Sequence, residues 1–288
     1  MNWHSKAIIK ADEIRYKLEL DIFQPINVLD ACIKLRLDVR FVDISSMEGL
    51  YIRNERGKNS TIILSAHRPL PRRYFTCAHE LGHHVFNHGS KLDALSERKS
   101  SSVSPPKDMD EELVDSFAGA LLMPLAGVQS EFVKRKWVIP NASPIHFYTV
   151  SSIFGVGYET LIVHCKINRL ISDLKAAELL KIKPAKILES LLSLPISDKS
   201  YFKLIDNLSL LQVIDLEVTN YIILPSEVQV EGVHLQKCQV TKNGENLFVA
   251  KKPGIVRAIS KENNTSCFIR IQNLNYIGLV QYRHLETE

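Results

Sequence analysis

An α+β protein is what this sequence predicts, its helices gathered in the first two thirds and its short strands mostly in the last. Three observations predict it. Apolar residues recur at helical spacing through Ala7–Leu20, Arg72–Phe86 and Asp110–Leu122, with short alternating runs between them. A second helical stretch covers Ile145 to Leu191. After Pro195 the period shifts toward two, and Asn243-Gly244, Pro253-Gly254 and Asn263-Asn264 punctuate the runs as turns. The chain accordingly divides into a domain at 1–142, a helical region at 143–196 and a separate β-rich domain at 197–288 whose role no motif assigns.

The elements follow in order. Ala7 to Leu20 reads as a helix, and Pro25 to Leu35 as a second, opened by proline. Val39–Val42, Gly49–Arg53 and Thr61–Leu64 read as strands, the last two pairing across the turn at 54–59. Leu50–Arg53 is expected at an edge, open to an extended peptide by strand addition. Pro69-Leu70-Pro71 suits a helical first turn, and the chain then runs without further proline to His88. Ser90 to Asp110 holds Ser100-Ser101-Ser102, Pro105 and Pro106, the composition of a mobile loop, either a lid or a tolerated insertion. Ile145–Ile171 reads as two helices joined at Gly155, helix-turn-helix-like, with Thr160, Lys166, Asn168 and Arg169 available for DNA. A plain helical pair explains it as well, because two basic residues make a poor electrostatic footprint. Pro184 restarts a helix within 173–194. Strands are expected at 211–218, 221–224, 228–233, 234–240, 247–250, 255–259, 267–271 and 276–282.

Composition bounds the class. Of 288 residues, 45% are hydrophobic and 24% charged, as in a soluble globular protein long enough for two domains. The N-terminus lacks a basic stretch leading into an apolar core, and no apolar run approaches the roughly 20 residues of a membrane span, so a cytoplasmic location is expected. Five cysteines without Cys-x-x-Cys spacing argue against a disulfide framework and a cysteine metal site. A net charge of +4 is compatible with nucleic acid or an acidic partner and demands neither.

Chemistry concentrates at His79-Glu80-Leu81-Gly82-His83. Four residues apart on a helix, His79 and His83 share a face, while Glu80 is offset by one position. That layout suits two imidazole ligands to zinc and a carboxylate general base for water. Phe75, Ala78, Leu81, Gly82, Val85 and Phe86 supply the buried stripe, with Gly82 permitting close backbone approach. Zinc hydrolases take a third protein ligand. Phe86 and Gly89 exclude the pattern with a third His ten residues on. Glu111 is the leading candidate and His88 an alternate, while Asp110, Glu111 and Glu112 also suit the first turn of an ordinary helix. Asp115, one turn past Glu111, is placed to accept the far ring N–H of a liganding His. Tyr51, His88, His146 and Tyr148 are candidates to stabilise an oxyanion, Tyr51 also to bind substrate.

These residues resemble the ImmA/IrrE-type zinc metallopeptidases, gluzincin-like bacterial proteins often encoded with repressors. The resemblance rests on Gly49-Leu50-Tyr51, Ile62-Ile63-Leu64, the run from Arg73 through His79-Glu80-Leu81-Gly82-His83-His84, and Glu111-x-x-x-Asp115-Ser116-Phe117-Ala118-Gly119-Ala120-Leu121-Leu122-Met123-Pro124. It implies a zincin-like fold for residues 1–142, with His79, His83 and Glu111 holding Zn2+ and Glu80 as base. The family usually has Ala-Asn where this chain has Val114-Asp115. It further implies site-specific cleavage of a protein substrate, a repressor-type regulator. The rival expectation is a catalytically silent regulator that binds DNA or protein and keeps the fold as a scaffold.

Overall fold

A computed structural model describes residues 2–54, 58–89, 91–94, 108–194, 201–207, 211–262 and 264–285. Mixed α and β structure with three small sheets is present, as expected of an α+β chain. Contacts divide it into two compact units, Met1–Pro124 with Asn275–Arg283, and Leu125–Leu274 with His284–Glu288. The boundaries differ from the division into three regions that the sequence pattern suggests.

In the first unit, α1 (Trp3–Lys17) begins where the Asn2 side chain accepts the His4 N–H, and α2 (Val28–Lys34) begins at Asn27, which accepts from Asp30 N–H. Asparagine caps therefore set both starts, and Pro25 lies outside its helix. Strands β1 (Asp38–Val42), β2 (Met47–Ile52), β3 (Thr61–Ser65) and β4 (Lys91–Ala94) join β13 (Gly278–Leu279) in one sheet, ordered β13-β1-β3-β2-β4. Helix α3 (Leu70–Val85) packs on β2 and β3, and α4 (Met109–Leu122) packs on α3 and α1. Phe41, Ile62, Leu64, Leu81, Val114, Phe117 and Leu121 are buried among these elements. Arg15, 1% exposed, ties α1 to the end of α4. Its guanidinium donates to Leu121 O at 2.7 Å, to Asp21 O at 2.6 Å and to Gln24 O, satisfying carbonyls that a helix end and a turn leave open.

Two expectations need correction here. Strand β2 is not an edge: β4 pairs antiparallel along Met47–Tyr51 and takes that position. Most of the expected 90–110 loop, Ser90 and 95–107, lies outside the described residues. The run 276–282 does not belong with the β-rich sheets. Leu279 and Gly278 pair with Arg40 and Phe41, and Arg283 meets Asp30 at 3.1 Å, which fastens this returning segment to the first unit.

The second unit begins with α5 (Leu125–Lys134), unforeseen because Pro124 reads as a stop. Met109–Lys134 is long and apolar enough, by length and composition alone, to cross a membrane, contrary to the expectation that no run approaches this. Its most apolar stretch is 61% buried, and the run is interrupted at Met123-Pro124, between the end of α4 and the start of α5. Helices α6 (Pro144–Phe154) and α7 (Tyr158–Ile167) meet at Gly155, whose φ of 67° is the left-handed cap that glycine adopts without strain. Helices α8 (Asp173–Leu180) and α9 (Pro184–Leu191) follow. Two four-stranded sheets complete the unit, β5-β7-β10-β9 and β6-β12-β11-β8, made of β5 (Phe202–Leu204), β6 (Val213–Glu217), β7 (Tyr221–Leu224), β8 (Val228–Glu231), β9 (Leu235–Val240), β10 (Asn246–Ala250), β11 (Gly254–Ser260) and β12 (Thr265–Gln272). Ile214, Leu216, Ile222, Leu224, Val256, Ala258, Ile269 and Ile271 form their shared core.

Candidate metal centre

His79 and His83 sit one turn apart on α3 and are 2% and 1% exposed. Opposite them stands α4, its acids gathered at the N-terminal end by the Asp108 cap, which accepts from Asp110 N–H. Gly82 makes the approach of the two helices possible: a Cβ there would lie 2.9 Å from Val114 Cβ and 3.2 Å from Phe117 Cδ1. Close packing at Gly82 carries Glu111, three residues before Val114, to the histidine pair.

The three side chains converge. Glu111 Oε2 is 3.2 Å from His79 Nε2, Glu111 Oε1 is 3.6 Å from His83 Nε2, and the two Nε2 atoms are 3.2 Å apart. One ligand atom from each lies within 4.8 Å of the others, and among the described residues this is the group that fits a metal ion. Two imidazole nitrogens and one carboxylate oxygen are the donor set of a zinc site that keeps a position open for water or substrate.

Asp115 Oδ1 is 2.8 Å from His79 Nδ1. A carboxylate only accepts, so Nδ1 carries the proton and Nε2 is the nitrogen turned toward Glu111. Burial disfavours charge on His79, yet the hydrogen bonds to Asp115 and Glu111 outweigh it and raise its pKa to about 10. The bonds from His79 and His83 hold Glu111 well below the ordinary carboxylate range. In this form the site is an ion-paired cluster whose excess proton a metal would replace.

Glu80 is fully buried, and the β2 backbone passes directly over it: a Cβ on Gly49 would sit 2.7 Å from Glu80 Oε1 and 2.5 Å from Thr76 Cγ2. His88 Nδ1 lies 3.0 Å from His83 Nδ1, and His88 Nε2 lies 3.5 Å from Asp110 Oδ1. His88 thus stands behind His83 and outside the ligand group, against the alternate reading of it as the third ligand.

Tyr51 lies apart from that group as well. It is 2% exposed, and its hydroxyl lies 2.9 Å from His84 Nδ1. Tyr148 and His146 belong to the second unit. There the Tyr148 hydroxyl donates to Phe202 O, and His146 accepts from Ser143 N–H and stacks on Trp137. Two site features escaped the sequence reading, the close pass of Gly49 over Glu80 and the contact of His88 with His83. Asn87, in a left-handed conformation at φ 58°, was the one local sign of the second.

Comparison with protein families matches residues 32–166 to the peptidase family described as the IrrE N-terminal-like domain, a span that holds all of α3 and α4. No curated protein matches the chain.

Proposed function

Residues 32–166 belong to the IrrE N-terminal-like peptidase family, and from that premise we propose that the chain is a zinc-dependent endopeptidase acting on a specific protein, a repressor-type regulator. The observation that carries the reading is the convergence of His79, His83 and Glu111 beside a buried Glu80.

His79 and His83 would hold zinc through Nε2 and Glu111 through its carboxylate. When bound, the ion supplies Lewis acidity, polarising a peptide carbonyl and making water acidic enough to lose a proton near neutral pH. Glu80 is the proton carrier. Adjacent in sequence to His79 and held in a buried position under Gly49, its carboxylate accepts the proton from the attacking water as the new C–O bond forms. It then gives that proton to the amide nitrogen as the C–N bond breaks, so hydrolysis ends with a free carboxylate, a free amine and Glu80 restored. Asp115 fixes the His79 ring and tautomer so that Nε2 keeps its lone pair for the ion.

On this reading the activity belongs to the cytoplasm, where such a regulator would be met. The test compares wild type with Glu80→Gln, scoring zinc content and cleavage of a repressor encoded beside the gene. Zinc retained with cleavage abolished is the expected result. Cleavage by the variant at the wild-type rate would overturn the role of Glu80, and zinc-free wild-type protein would overturn the site.

A further inference from the structure

We infer that His88 and Asp110 form a relay that orients His83 from behind, so that both imidazoles of the site are positioned through their far nitrogens by acids of α4. The inference rests on the zinc reading above and concerns how the ligands are held.

The backbone sets up the relay. Helix α3 ends with Asn87 left-handed at φ 58°, Asn87 N–H bonded to His84 O at 3.2 Å and His88 N–H bonded to His83 O at 3.0 Å. This pair of bonds is the helix-closing motif in which the residue two past the cap folds back onto the residue three before the helix end. An apolar contact between those two side chains frequently accompanies this motif. Here two imidazoles meet instead, Nδ1 to Nδ1 at 3.0 Å. The His88 ring is backed by Phe86, with centroids 5.9 Å apart and near-parallel planes, and Phe86 in turn meets the edge of Phe117.

Tautomer logic gives the contact a direction. For Nε2 of His83 to offer a lone pair beside Glu111, its Nδ1 must carry the proton and donate, so His88 Nδ1 accepts. A neutral His88 that accepts at Nδ1 carries its proton on Nε2, and that nitrogen faces Asp110 Oδ1 at 3.5 Å. A carboxylate there favours the tautomer the relay needs. Three acids of one helix then divide the work: Glu111 faces both Nε2 atoms, Asp115 holds His79 directly, and Asp110 holds His83 through His88.

His88 and Asp110 are therefore positioning residues, and the probe is zinc itself. Zinc affinity is measured by competition with a chromophoric chelator on the full chain, and the visible spectrum of the cobalt-substituted protein reports ligand geometry. His88→Phe keeps a ring against Phe86 and removes the acceptor. It should weaken zinc binding by about 10- to 100-fold, the range found when such supporting partners are lost, and should alter the cobalt bands. His88→Gln, which restores an acceptor and a donor, should recover part of the loss. Asp110 is more than half exposed, so Asp110→Asn leaves the packing intact. It should weaken binding several-fold in wild type and add no further loss in the His88→Phe background. Wild-type affinity in His88→Phe overturns the inference. So does an Asp110→Asn loss that is unchanged in that background, because it shows a direct effect of charge on the metal. Wild-type protein that binds no zinc overturns the underlying site, and the relay with it.

Discussion

Gly82→Ala tests whether the approach of two helices sets the metal site. An alanine Cβ would stand 2.9 Å from Val114 Cβ and 3.0 Å from Val114 Cγ1, where carbon atoms ordinarily rest about 3.8 Å apart. Val114 Cβ is fixed to the α4 backbone and no rotamer moves it, so α4 must retreat by about 1 Å or accept the overlap. Overpacking of this kind costs about 1–3 kcal/mol, and the better helix propensity of alanine returns about 1 kcal/mol. The metal-free variant should therefore be less stable by about 1 kcal/mol. Its larger effect falls on zinc. Glu111 travels with α4, and ligand distances tolerate only about 0.2 Å, so affinity should drop at least tenfold. That drop removes about 1.4 kcal/mol of the stabilisation zinc confers at saturating concentration. Chelator competition and thermal unfolding with and without zinc measure both quantities. Gly89→Ala is the control, since nothing lies within 4 Å of a Cβ there. A Gly82→Ala protein that melts higher than wild type and binds zinc equally well would refute the reasoning.

Other expectations follow from the same structure. Gly49→Ala places a methyl against the Glu80 carboxylate and Thr76; kcat should fall tenfold or more with zinc affinity kept, and loss of zinc in parallel with activity would contradict that split. With its pKa near 10, His79 in the metal-free protein lies above the unfolded value of about 6.5. Its protonated ring thus adds stability that is complete below pH 6.5 and is lost as pH rises toward 10. Zinc must displace that proton, so zinc affinity should climb across the same window. Calorimetric titration in two buffers of different ionisation enthalpy should show proton release near neutral pH, and none would count against the cluster as described. In the second unit, burial of Lys203 pulls its pKa down to about 8 against the opposing pull of Asp215. A folded value below the unfolded one of about 10.4 means that the charged amine opposes folding, fully below pH 8 and decreasingly up to pH 10.4. Lys203→Met should be more stable at pH 7 by up to about 3 kcal/mol, and denaturant unfolding at pH 7 and 9.5 should show the advantage shrinking.

The centre of the site was legible because helical spacing and ligand chemistry are both local. His79 and His83 share a face by count alone, and Glu111 stands one turn before Asp115 for the same reason. Strand partners were less legible. Lys91–Ala94 is too short for any period to show, yet it takes the sheet edge from β2, and the strand pattern at 276–282 does not reveal that Gly278–Leu279 closes the other edge of the first sheet, beside β1. The partner of Tyr51 is hidden for a related reason. An alternating strand reveals which residues share a face, and it does not reveal that His84 of α3 covers that face. The contact of His88 with His83 lay behind a left-handed asparagine, a conformation that sequence marks only faintly.

The return of the chain to its first sheet has a consequence for synthesis. Gly278 and Leu279 pair with β1, Val280 is fully buried and Arg283 reaches Asp30, so the unit that holds the histidines is sealed by residues translated some 160 positions after α4 ends. While the ribosome is still extending the second unit, the first has every candidate ligand and lacks its last strand. A nascent chain released early, at residue 274 for example, would carry the whole motif on an unfinished fold.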